Sequence, residues 1–260
     1  MSTSPCVSSL RTALVLRLVC LSLMAGAFGW SLTAAGNKTA EQQGEELVRE
    51  LRELRPIEGG GVLRLRNPDG KWTAAIPVKV GVDETAGSWT ANYEAFGPDG
   101  MVSETLAIMH ETGKPRVYLH AAATGGPRRL TGDEASIPFA GSEFWLSDLG
   151  LEFLQWPEHR VVKREMRKGR SCRVVESVNP NPGRGGYARV LSWVDIEHRG
   201  ILRAEAYDAD RRLIKEFSIG SFKKVPGEDG GSRWQLKSME IRNEQSDART
   251  RLEFDLSLRE

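Results

Sequence analysis

Few residues of this chain have the types and spacing that catalysis or metal binding requires. The four histidines are His110, His120, His159 and His198, and none of them lies in an H-E-x-x-H pattern or four residues from another. No G-x-S-x-G turn presents a serine nucleophile, and Gly59-Gly60-Gly61 lacks the Lys-Ser or Lys-Thr that follows in a phosphate loop. We therefore predict no enzyme activity, no cofactor, no metal site and histidines that face solvent.

The cysteines give no evidence of a disulfide framework. Cys6 and Cys20 lie in the N-terminal segment, so only Cys172 remains if that segment is removed. Cys172 has no evident base partner, and free cysteines are mostly buried, so we predict a buried, unreactive thiol.

The largest concentration of apolar chemistry is a short aromatic segment that Pro157 closes. Two interpretations stay open: the segment is a plug of the core, or it is a lid whose apolar face meets acyl chains. The residues that would form the lid fall within 13 positions and are Phe144, Trp145, Leu146, Leu149, Phe153 and Trp156.

The one dense run of charge directly follows that segment. It includes Arg160, Lys163, Arg164 and Arg167. Long cationic side chains usually point to water, so a solvated face of a hairpin is one interpretation. Docking of an acidic partner or of lipid headgroups is the other. The whole chain carries a formal charge of +1, which argues against nucleic acid as a partner.

The N-terminus has the pattern of a secretory signal. Arg11 and Arg17 flank or interrupt an apolar run that ends in Ala25-Gly26-Ala27. The run is shorter than the ~20 residues of a membrane-spanning helix, although a retained anchor is the alternative. We predict a signal peptide over residues 1–27, cleaved after Ala27 or else after Ala35. Val19 is too large for the position before a lipid-modified cysteine, so Cys20 is not predicted to carry an anchor.

Hydrophobic periodicity predicts how the remaining residues are arranged. Residues 28–40 are predicted to be a flexible lead-in, and residues 41–260 a single domain. Leu47, Leu51 and Leu54 share one face of a helix over residues 40–55, which Pro56 ends. A period of two then predicts about eleven or twelve strands, interrupted by a long loop over 121–141 and by short helical turns capped by Ser142 and Ser147.

The strand pattern predicts a mainly β fold of the α+β class. The last strand is the clearest, because Thr250, Leu252 and Phe254 alternate with charged residues. In the strand over 233–243 the apolar phase slips between Leu236 and Met239, which predicts a bulge. So many strands form a large curved antiparallel sheet or incomplete barrel, covered by the N-terminal helix and a helical lid. Such a sheet leaves an apolar cavity.

Several segments resemble outer-membrane lipoprotein-sorting proteins. Phe144-Trp145-Leu146-Ser147-Asp148-Leu149 is similar to their F-x-x-x-D-L element. Ser192–Ile196, Gly200 and Arg203–Asp208 resemble their W-[IV]-D … G … R-x-E-x-Y-D hairpin. The resemblance covers most of residues 41–258 and implies a LolA/LolB-like fold, in which an incomplete barrel receives acyl chains. The arginine that functions in such carriers cannot be aligned, so none is assigned.

The resemblance also implies a function and its surroundings. We expect a monomeric periplasmic carrier of lipoprotein acyl chains or other lipids, loaded by an inner-membrane release complex and unloaded at an outer-membrane acceptor. Two alternatives remain: a lipid-sensing regulatory module of the same fold, and a lipid-handing accessory of a membrane exporter.

Overall fold

The computed structural model describes residues 38–130, 133–226 and 232–255. The predicted signal peptide lies outside these residues. Helix α1 spans Ala40–Arg52 and the short helix α2 spans Leu146–Leu149. Single 3₁₀ turns lie at Asp133–Ala135 and Glu152–Gln155.

Within the described residues, thirteen strands form one antiparallel sheet. They are β1 Gly59–Arg66, β2 Trp72–Thr85, β3 Ser88–Phe96, β4 Val102–Glu111, β5 Val117–Ala122, β6 Arg128–Leu130, β7 Glu158–Arg167, β8 Arg170–Val178, β9 Arg189–Asp195, β10 Ile201–Tyr207, β11 Leu213–Pro226, β12 Ser232–Asn243 and β13 Arg249–Phe254. The predicted mainly β architecture is confirmed.

The order of the strands explains why part of the chain must cross the sheet. The order is β6-β5-β4-β3-β2-β1-β13-β12-β11-β10-β9-β8-β7, so two meanders are joined where β1 pairs with β13. The sheet does not close, because β6 and β7 are its two edges. These edge strands are consecutive in the chain, and the segment between them therefore passes from one edge to the other. The aromatic segment lies in this crossing connection.

Helix α1 begins and ends for reasons that are visible in its sequence. The Thr39 hydroxyl accepts from the Gln42 N–H while the Gln42 side chain accepts from the Thr39 N–H, which is a capping box. The helix ends at Arg52, three residues earlier than predicted. Pro56 has no N–H, and its ring would clash with the carbonyl four residues before it. The Arg52 carbonyl therefore cannot accept a helical hydrogen bond from residue 56. Leu54 consequently lies past the helix.

Helix α1 packs against the edge strand β7 at very short range. A Cβ added to Gly44 would lie 2.5 Å from the Arg160 Cα atom, so this contact requires a glycine. Leu47, Val48 and Leu51 are buried in the same interface. The helix thus covers one end of the open sheet.

Two local features of the strands were tested by the structure. The register between β11 and β12 shifts where Ile219 pairs with Met239, Ser221 with Ser238 and Phe222 with Leu236, so the predicted bulge is confirmed. The prediction of a long crossing loop over 121–141 was wrong in part, because the segment is not all loop. Strand β6 and a 3₁₀ turn lie within it, because β5 offers a free edge for Arg128–Leu130 to pair with.

Candidate functional site

An apolar cavity of about 310 Å³ lies between the sheet, the end of α1 and the crossing connection. Its floor lies along a row of cross-strand neighbours on β11, β12, β13 and β1, in which Ile219 faces Met239, Met239 faces Leu252 and Leu252 faces Leu63. All of these except Leu63 line the cavity. Leu54 and Ile57, which follow α1, line it from the other side. A cavity with this lining and size suits a hydrophobic ligand.

The crossing connection contributes three of the six predicted lid residues to the cavity wall. These are Phe144, Leu149 and Phe153. Leu146 is fully buried in the main core beside Phe144. The connection thus forms one wall of the cavity, and contact of these side chains with lipid stays a prediction.

The remaining two lid residues face a second cluster. Trp145 and Trp156 are half-buried and pack with Phe153 against residues of α1 and β8–β10. The Trp145 ring stacks on Tyr187 at 4.7 Å between centroids. The lid segment is therefore wedged between two apolar clusters rather than hinged over one.

Glu143 ties the connection to the middle of the sheet. Its backbone N–H donates to the Thr250 hydroxyl at 2.9 Å, and its backbone oxygen accepts from the Lys215 ammonium at 2.6 Å. Its carboxylate accepts from the Asn243 amide at 3.0 Å. The predicted capping by Ser147 was wrong, because Asp148 accepts from the Trp145 N–H instead and Ser147 lies inside α2.

Lys215 is a buried amine in the wall of this apolar cavity. Its side chain is only 3% exposed, its Nζ atom lies 3.3 Å from Asp148 Oδ2, and the same atom is 3.7 Å from the centre of the Trp145 ring. Asp148 also accepts from the Tyr187 hydroxyl at 3.0 Å. Burial lowers the pKa of Lys215, and the neighbouring Asp148 carboxylate opposes that shift.

Arg116 is the second buried cation of the cavity. Its guanidinium donates to the carbonyl of Gly150, which ends α2, and to the Arg52 carbonyl at 3.0 Å. It also lies 5.2 Å from the centre of the Trp89 ring. Arg116 therefore links the end of α1 to the lid. It donates to the Arg52 carbonyl, which Pro56 leaves without a helical hydrogen bond.

The predicted docking cations are mostly engaged within the protein. Arg160 pairs with Glu176 at 2.6 Å and Lys163 with Glu165 at 2.6 Å, while Arg167 lies 3.8 Å from Glu165. Arg164 is exposed, and no carboxylate of the described residues forms an ion pair with it. The docking function stays a prediction, and Arg164 is the predicted docking residue that has no ion pair among the described residues.

The prediction that the histidines face solvent was wrong for three of them. His110 is buried because it stacks on Trp89 at 5.0 Å between centroids. His159 is buried beneath α1, and burial lowers its pKa to about 4, with the nearby Arg52 acting in the same direction. His120 is largely buried beside Glu104, and only His198 is mostly exposed. Cys172 is fully buried as predicted, and burial raises the pKa of its thiol.

The two buried cations, Lys215 and Arg116, were not predicted from the sequence. Lys215, Phe217 and Ile219 are every second residue of β11, so their side chains share one face of the strand. Because that face is the apolar, inward one, the pattern could have identified Lys215 as a buried lysine. No such signal exists for Arg116, because it follows a turn at Pro115 and its partners are backbone carbonyls distant in sequence.

Across 38–130, 133–226 and 232–255, no group of three or more His, Cys, Asp or Glu side chains is placed to hold a metal ion. Neither α1 nor any other described helix is long and apolar enough to span a bilayer.

Solved structures with low sequence identity share this architecture. A domain described as an outer membrane lipoprotein-sorting protein, from Vibrio parahaemolyticus, is 20% identical with a TM-score of 0.64, covering 84% of this chain and 94% of that one. A DUF1329 family protein from Desulfovibrio piger is 17% identical with a TM-score of 0.61, covering 85% and 96%. A LolA superfamily protein from Nitrosomonas europaea is 16% identical with a TM-score of 0.54, covering 84% and 92%. At these identities the likeness establishes the fold.

A family model described as "Uncharacterized protein" matches residues 102–257, which is more than half of the chain. No curated protein matched. The chain therefore belongs to the family matched over residues 102–257, and its fold is the LolA-like fold of lipoprotein-sorting proteins.

Proposed function

We propose that this protein is a carrier that holds the acyl chains of lipoproteins, or of another lipid, in the cavity described above. The observation that supports this most strongly is the cavity itself, since its walls are apolar on the sheet, on the segment after α1 and on the crossing connection. The fold shared with a domain described as lipoprotein-sorting supports the same proposal.

Such a carrier must bind an acyl chain strongly enough to extract it from a bilayer and weakly enough to release it. Burial of each methylene contributes about 0.8 kcal/mol, which offsets the loss of bilayer contacts when a chain enters the cavity. The wall formed by the crossing connection must also move to admit a chain. It is attached to the sheet at Glu143 by three hydrogen bonds. The neutral one contributes about 1 kcal/mol net, and the two that involve a charged group contribute about 1.5–3 kcal/mol each. Entry of a chain also requires the buried Phe144 to separate from the sheet and the Lys215–Asp148 pair to break.

The N-terminal pattern and the resemblance to lipoprotein-sorting proteins also support a proposal about the surroundings of the carrier. We propose export to the periplasm through the signal peptide over residues 1–27, loading at an inner-membrane release complex and unloading at an outer-membrane acceptor. Arg164 is proposed to contribute to docking, because it is exposed and directly opposite Arg173 on β8, which concentrates positive charge there.

A pair of methionines tests the cavity directly. Met239 lines the cavity, whereas Met101 is 68% exposed in the turn before β4. Binding of a fluorescent diacylated lipopeptide is measured for Met239→Gln and Met101→Gln, which change volume little. A buried amide lacks a partner in an apolar cavity, so Met239→Gln is expected to weaken binding about tenfold. Equal binding by the two variants would contradict the proposal that the lipid binds in this cavity.

A further inference from the structure

A second pocket, of about 330 Å³, lies on another side of the lid segment. It shares Asp148, Phe153 and Tyr187 with the apolar cavity, but the rest of its lining is different in character. Hydroxyl and amide side chains predominate there, from Ser136, Ser147, Asn179 and Asn181. The acyl-carrier function leaves these groups without a role.

Some polar groups of this pocket have donors and acceptors that form no hydrogen bond within the described residues. Ser147 is 6% exposed, and its Oγ atom is buried without a hydrogen-bond partner. A buried hydroxyl in that state is costly and calls for an explanation. The side-chain amide of Asn181 makes no hydrogen bond within the described residues and offers two donors and an acceptor. Asn179 holds the loop by donating to the Tyr187 carbonyl at 3.3 Å.

The charges around the pocket favour a neutral ligand. Its lining includes the carboxylates of Asp148 and Glu152 and no lysine or arginine, which disfavours anions. A cation is disfavoured too, because each carboxylate already interacts with a buried cation from the cavity side. Lys215 lies 3.3 Å from Asp148, and Arg116 interacts electrostatically with Glu152. These two cations offset the charge of the carboxylates, so the pocket is polar without a strong net charge.

We propose that this pocket binds a neutral polyhydroxylated ring, such as a sugar or a cyclic polyol. Hydroxyl groups both donate and accept, which matches a lining of carboxylates, amides and an unpartnered serine. The half-buried Trp156 ring supplies an apolar face for the C–H side of such a ring. The ligand is either a free sugar or the headgroup of a glycolipid. This inference does not depend on whether the apolar cavity carries acyl chains.

Amide NMR titrations of the full chain test the proposal. Methyl β-glucoside and myo-inositol represent free ligands, octyl β-glucoside below its micelle concentration represents a headgroup on a chain, and choline and glucose 6-phosphate are the charged comparisons. We expect the neutral ligands to shift the Asn181 side-chain amide and the Gly186 backbone amide, and the charged compounds to bind about tenfold more weakly. Equal affinity of methyl and octyl glucoside indicates a free sugar, while tighter octyl glucoside binding with shifts in both pockets indicates a glycolipid headgroup.

Two variants make the result specific to this pocket. Asn181→Ala removes an exposed side chain and is expected to weaken neutral-ligand binding about tenfold, the value of one or two hydrogen bonds. Gln245→Ala alters an exposed side chain outside the pocket lining and leaves binding unchanged. The proposal is overturned if no neutral ligand shifts Asn181 or Gly186, or if choline or glucose 6-phosphate binds as tightly as the neutral ligands.

Discussion

The Lys215 ammonium on β11 lies 3.3 Å from the Asp148 carboxylate on α2, and this pair joins the sheet to the lid at the boundary between the two pockets. Lys215 is buried almost completely, and Asp148 is held by the Tyr187 hydroxyl and the Trp145 N–H as well. The pair therefore fixes where the lid lies on the sheet.

Removing one member of this pair is expected to destabilise the protein more than removing both. Lys215→Met leaves Asp148 without its cation and should lower the free energy of unfolding by about 3 kcal/mol. Lys215→Met with Asp148→Asn leaves no unpaired charge and should recover much of that loss. Urea unfolding of both single variants and the double variant forms a double-mutant cycle. Simple additivity would contradict a direct interaction.

Gly150 is predicted to tolerate no side chain. A Cβ atom there would lie 2.2 Å from the Tyr118 hydroxyl oxygen, and Tyr118 is fully buried. Gly150→Ala should therefore lower the free energy of unfolding by about 1–3 kcal/mol, as overpacked cores do. Gly81→Ala is the matched control, because no atom lies within 4 Å of a Cβ at that strand position. Similar unfolding midpoints for the two variants would refute the close contact.

His159 is expected to make stability depend on pH. Its pKa is about 4 in the folded protein against 6.5 ordinarily, so the neutral ring stabilises the fold above pH 6.5. As the pH falls from 6.5 towards 4, the unfolded chain binds the proton first, and this group lowers stability by up to about 1.4 kcal/mol per pH unit. Urea unfolding across that range measures the slope.

A pair of variants isolates the contribution of His159. His159→Gln should flatten the slope between pH 6.5 and 4, while His198→Gln, at an exposed position, should leave it unchanged. An unaltered slope in His159→Gln would show that other groups control the acid sensitivity.

The alternation of apolar side chains carried most of the fold prediction. In the last strand Thr250 and Leu252 are buried and Phe254 lines the cavity, as their phase required. The slip between Leu236 and Met239 located the bulge for the same reason. Period-two patterns report which face of a sheet is covered, and that is a local property of the sequence.

What could not be predicted depends on contacts between distant segments. His159 is buried only because α1 packs on the start of β7, where Gly44 meets the backbone of Arg160. Arg116 joins two carbonyls whose positions depend on Pro56 and on the lid. Strand β6 forms because β5 has an open edge, which its own three residues do not reveal.

Lipid analysis of the native protein tests the central claim most directly. The protein is purified from the periplasm of the cells that make it, without detergent, and its bound molecules are identified by mass spectrometry, with Met239→Gln and Met101→Gln prepared in parallel. We expect acylated cargo in the native protein and in Met101→Gln, and much less in Met239→Gln. A native protein that is reproducibly empty would contradict the central claim.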